Sequence, residues 1–115
     1  MREVAAEVGA AGAGVNKVTD RELLEAAAKA AGYWCAEFNC PDRVPLNWNP
    51  LEDDGDALRL AVRLSIEVRP YLLSGITCAG HVLRPHQRIE ELHSGGSMAA
   101  TRRAIVRAAA ALTEE

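Results

Sequence analysis

The sequence predicts an α+β fold: a mainly antiparallel sheet of three to four short strands covered by three helices, sandwich-like, in the order α-β-α-β-β-β-α. Three observations predict it. Alanine-rich stretches with helical spacing stand near both ends of the chain, over residues 20–31 and from Ser97 to about Leu112. A third apolar stretch, residues 57–64, follows a dense helix-start signal. Between residues 66 and 93, three short runs with partial two-residue alternation are separated by Ser74-Gly75 and Arg84-Pro85-His86, as in an antiparallel meander.

Each element has its own local reason. Residues 1–17 are rich in Ala and Gly without a periodic stripe and read as a flexible tail, leaving a single domain over 18–115. Thr19 and Glu22 have capping-box spacing and Val18 is placed to staple onto Leu23, so a helix is predicted over 20–31. Leu23, Leu24, Ala27, Ala30 and Ala31 form its inward side, and Gly32 supplies a left-handed end. Residues 33–38 suit a short strand, and Asn39-Cys40-Pro41-Asp42 a turn. Residues 43–48 alternate, with Pro45 restricting them to a sheet edge.

Residues 48–62 compress an anchor, a turn and a helix start. Asn49, with Pro50 at the first helical position and Glu52 at the third, is one start; Asp53 with Asp56 is another. The second helix therefore begins between Pro50 and Asp54 and exits near Ser65. Apolar residues around most of its circumference predict a largely buried helix, with Arg59 and Arg63 as a narrow polar stripe. Strands follow over 66–73, 76–83 and 87–93; Pro70 favours an edge or bulge in the first, and Gly80 a bend in the second. Ser94 or Ser97 is placed to cap the final helix, in which Met98, Ala99, Ile105, Val106, Ala109 and Leu112 recur at helical spacing.

Composition narrows the function classes. A net charge of −3 gives no global positive field toward nucleic acid or an anionic membrane. No apolar run approaches the roughly 20 residues that span a bilayer, and Glu3 and Glu7 interrupt the start where an export signal is apolar, so a cytoplasmic protein without a membrane partner is expected. Cys35, Cys40 and Cys78 are odd in number and read as buried thiols; zinc is the competing reading, but the close ligand pairs of a zinc knuckle are missing.

Four groups of side chains carry the candidate chemistry. Glu52, Asp53, Asp54 and Asp56 could gather a hard cation, yet Leu64 stands at the twelfth position from Asp53 where a calcium loop needs a carboxylate. Trp48, Asn49, Pro50, Asp53, Asp54 and Asp56 are therefore read as a structural motif of capping and dipole compensation. Arg102, Arg103 and Arg107 could form a basic face for phosphates, a nucleic-acid reading ranked below protein binding because no reading motif accompanies it. His81, His86 and His93 and the loop serines have no catalytic frame around them, so neither an enzyme nor a cofactor is expected. Glu67, Arg69 and Tyr71, on the strand that Pro70 marks as an edge, form the candidate protein-interaction edge.

Two blocks, 48–62 and Met98-Ala99-Ala100-Thr101-Arg102-Arg103-Ala104-Ile105-Val106-Arg107-Ala108-Ala109-Ala110, together with residues 20–33, resemble the phage ABA sandwich domain family, over roughly residues 18–112. The resemblance implies a sandwich-like α+β fold and a phage or prophage origin within a bacterial host cell, and it carries no established activity or catalytic residue. Arg84-Pro85-His86 departs from the Asp-Gly that often closes the second hairpin in that family. The expected role is a non-catalytic phage or prophage accessory protein binding a host or phage protein, with a homodimer as a further expectation. A nucleic-acid-binding accessory protein and a small enzyme or metal-binding protein are the alternatives.

Overall fold

Thr19 accepts a hydrogen bond from Glu22 N at 3.1 Å while the Glu22 carboxylate accepts one from Thr19 N at 2.9 Å. This reciprocal box starts helix α1, Asp20–Ala31, which ends where Gly32 turns left-handed at φ 86°. The computed structural model describes residues 18–113; the tail expected over 1–17, like the last two residues, lies outside the described residues. The buried face of α1 is Leu23, Ala27, Ala28 and Ala31. Ala28 thus takes the place expected for Leu24 and Ala30, and Val18 remains half exposed rather than closing a full staple.

The next segment departs from expectation. Instead of a strand over 33–38, two-residue strands β1, Trp34–Cys35, and β2, Cys40–Pro41, form a minimal hairpin with its turn over 36–39. Residues 43–48 form no strand. Left-handed backbone at Asn39, Arg43 and Asn47 breaks extended geometry at every fourth residue, and Pro41 and Pro45 lack the N–H that a longer ladder would need.

Of the two predicted helix starts, Asp53 opens the helix and Asn49 opens only a turn before it. Asn49 accepts from Leu51 N at 3.1 Å and its carbonyl from Glu52 N and Asp53 N, forming a turn over the fully buried Pro50. Asp53 then caps α2, Asp54–Arg63, by accepting from Asp56 N at 2.8 Å. Helix α2 ends at Leu64, before Ser65 in the left-handed region. It is not largely buried: Ala57, Leu60 and Ala61 face inward, whereas Leu58 is 63% and Val62 72% exposed.

Strands β3, Ile66–Tyr71, β4, Ile76–His81, and β5, Ile89–Leu92, form the antiparallel meander in that order, with Ile66 opposite His81 and Ile76 opposite Leu92. Pro70 lies on edge strand β3. Val82 N donates to the Ser65 carbonyl, so in the alternation of an antiparallel pair the odd-numbered residues of β3 bond to β4, and Pro70 removes nothing from the ladder. Gly80 marks a close approach rather than a bend: a Cβ there would sit 3.3 Å from the Arg88 backbone. Residues 85–87 form a 3₁₀ turn between β4 and β5.

Helix α3, Ser97–Ala111, begins behind Gly96 without a side-chain cap, so neither Ser94 nor Ser97 plays the expected role. It packs across all three strands of the meander and against both other helices; α1 packs on α3, and α2 on α3 and β3. Ile66, Val68, Ala79 and Ile89 of the sheet join Ala104, Ile105, Val106, Ala108 and Ala109 of α3, and the inner residues of α1 and α2, in one core. Small side chains let this central helix be contacted on several sides. Met98, expected inward, is 56% exposed because it lies in the first turn, before the buried face begins at Ala100.

Candidate functional site

The carboxylates of residues 52–56 resolve into separate structural duties. Asp53 caps α2; Asp54 pairs with Arg102 at 2.6 Å; Asp56, only 8% exposed, accepts from Asn49 N at 2.9 Å and Arg59 Nη2 at 2.8 Å. Burial alone would push the Asp56 pKa up, but the Asn49 amide and the Arg59 guanidinium outweigh it, and the pKa lies below its ordinary value. Trp48 stands edge-on to Tyr33, ring centres 5.6 Å apart, and Arg63 lies over the Tyr33 ring while donating to the Ala31 carbonyl. The block 48–63 therefore ties α2 to the end of α1 and, through Arg102, to α3. Among the described residues no group of three or more His, Cys, Asp or Glu is arranged to hold a metal ion.

The three arginines of α3 do not share one solvent-facing patch. Arg102 is turned toward α2, donating to the Leu51 carbonyl at 2.8 Å and to Asp54, with 19% of its side chain exposed. Arg103 reaches Asp20 at 2.9 Å, and Arg107 reaches Glu91 and the Glu90 carbonyl. Each thus meets a carboxylate of the same chain, where its charge serves packing between elements.

A polar knot unseen in the sequence lies under the sheet. The Thr77 hydroxyl, with no solvent exposure, is 2.7 Å from His93 Nε2 and 2.9 Å from the Thr101 hydroxyl. Strand β4, the turn after β5 and α3 each supply one member, so sequence spacing carries no trace of it. The cysteines also differ from expectation: Cys78 is buried, but Cys35 is only half-buried and Cys40 exposed, because the short β1–β2 hairpin leaves them at the surface.

Glu67, Arg69 and Tyr71 do form a row, on the sheet face opposite α3. Across the strands, Cys78 opposes Arg69 and Glu90, while Ile76 opposes Tyr71 and Leu92. Tyr71 first and Glu67 second raise the Arg69 pKa, the Glu67 carboxylate lying 3.4 Å away. At the hairpin end Leu72, Leu73 and Leu92 are exposed beside Tyr71. The even-numbered residues of β3 turn their backbone groups away from β4, and among the described residues none donates to or accepts from them. A second apolar feature, an open groove lined by Leu24, Ala28, Trp34, Val44 and Trp48, lies between α1 and the first hairpin.

Comparisons of the chain with family models, with curated proteins and with solved structures return no match. No helix among the described residues is long and apolar enough to cross a membrane.

Proposed function

We propose that this chain is a non-catalytic accessory protein that binds another protein through the open edge of β3. The observation that carries the reading is the edge itself, unpaired among the described residues: Ile66 and Val68 present N–H and C=O groups outward, and Pro70 a carbonyl, with Glu67, Arg69 and Tyr71 exposed alongside. An extended segment adding to such an edge gains main-chain hydrogen bonds, while neighbouring side chains choose among partners. A phage or prophage setting is part of this proposal and rests on the resemblance of blocks 48–62 and 98–110. The arginines of α3 favour the protein reading over nucleic acid, since each is engaged with a carboxylate of its own chain.

The test is capture with tagged full-length chain from lysogenic bacterial cells, followed by amide hydrogen exchange on the purified complex. New protection of the Ile66 and Val68 amides supports the proposal. Protection confined to the Trp34–Trp48 groove or to α3, with the Ile66 and Val68 amides exchanging freely both with and without the captured protein, refutes it.

A further inference from the structure

We infer that the partner of the β3 edge is a second copy of this chain, paired antiparallel about a twofold axis through Val68. The inference rests on the open-edge reading above and names its occupant. Since even-numbered residues of β3 point their backbone groups outward, a symmetric pair must place its axis on a residue rather than between two. Centred on Val68, the two Val68 residues exchange N–H and C=O, and each Ile66 N–H meets the Pro70 carbonyl of the second copy. The missing N–H of Pro70 leaves this pattern short of a donor only at its ends.

Charge selects the register. With the axis at Val68, Glu67 lies directly opposite Arg69 of the second copy, twice over by symmetry, at non-hydrogen-bonded positions where side chains come closest. Moving the axis to residue 67 sets Glu67 against Glu67, and moving it to residue 69 sets Arg69 against Arg69, both destabilising. The edge is thus complementary to itself in one register, and the two sheets become continuous.

Helix α2 supplies an independent observation. An axis normal to the sheet keeps both helical layers on one side and brings α2, which packs over β3, beside its copy. At about 100° per residue, Leu58 and Val62 project from one flank of α2 and Arg63 from the other. Arg63 reaches back to the end of α1, so Leu58 and Val62 lie on the side of α2 turned away from α1. They form an exposed apolar pair one turn apart, available for the isologous contact expected of a twofold dimer.

Sedimentation velocity of the full chain, from micromolar to submillimolar concentration, tests the inference. The wild type sediments at twice the 12.3 kDa chain mass. Glu67→Arg and Arg69→Glu each weaken dimerisation about tenfold or more, because each puts like charges together at both symmetric contacts, and the double swap restores it. All three variants alter exposed side chains, and far-UV circular dichroism verifies their fold. In the wild type and the double swap, but in neither single variant, exchange of the Ile66 and Val68 amides slows with rising concentration. A dimer indifferent to the single swaps, or a monomeric wild type, overturns the inference. A monomer whose Ile66 and Val68 amides become protected by a captured protein overturns the homodimer and leaves the open-edge reading standing.

Discussion

Asp56→Ala removes the side chain that holds the start of α2 to the turn before it. The carboxylate accepts from Asn49 N and Arg59 Nη2 at the 8%-exposed entrance of the helix. Stranding the Asn49 amide costs about 1–3 kcal/mol. The Arg59 pair adds little, because 73% of the arginine side chain is exposed and screened by water. The first-turn charge on the dipole adds about 0.3–1 kcal/mol. Alanine recovers about 0.5 kcal/mol of helix propensity, so the net loss is about 2 kcal/mol, a fall in Tm of roughly 8–16 °C for a domain of this size. Urea unfolding followed by circular dichroism at pH 7 measures it. The pKa of Asp56 is lowered in the folded chain, so its stabilisation is fully present above the ordinary value of 3.8 and fades as pH falls through the lower folded value. The gap between wild type and Asp56→Ala therefore narrows below about pH 4. A loss under 0.5 kcal/mol at pH 7, or a gap unchanged at pH 2, refutes this account of Asp56.

Other perturbations follow from the same geometry. Thr77→Val deprives His93 and Thr101 of their shared partner and destabilises by about 1–3 kcal/mol in urea unfolding; adding Thr101→Val costs less than it does in the wild type, because the contact is already gone. Leu58→Ser with Val62→Ser leaves the unfolding free energy of the dilute chain within about 0.5 kcal/mol, as expected of exposed positions, and weakens self-association in sedimentation. A thiol-reactive dye labels Cys40 rapidly in the folded chain, whereas Cys78 reacts only once denaturant is added, as mass mapping of the labelled residues shows.

The reach of the sequence differs from element to element. Helix α1 was readable to its last residue because Thr19, Glu22 and Gly32 act within one turn of the backbone they terminate. The meander was readable for a similar reason: hairpin turns and alternation are short-range, although each strand proved shorter than its apolar run. The cap at Asp53 is legible in the sequence because the orphan N–H group it satisfies, that of Asp56, sits three positions along the chain. The strand expected over 33–38 is cut to the 34–41 hairpin by the turn over 36–39 that ends in left-handed Asn39, and the alternation of 43–48 forms no strand because Arg43 and Asn47 are also left-handed.

Of the candidate surfaces, Glu67, Arg69 and Tyr71 can be placed on one side of an edge strand from the chain alone, because strand period and Pro70 suffice for that. Where the α3 arginines point, how Thr77 is satisfied and which flank of α2 stays bare depend on contacts between segments far apart in the chain. Arg103 meets Asp20 across 83 positions of chain, and Arg102 meets Asp54 across 48. A helix of mostly apolar residues buries only the faces that neighbours cover, so Leu58 and Val62 are exposed because α3 and β3 already occupy the opposite side. Local physics chooses the elements; the distant partners choose which of their side chains remain available to another molecule.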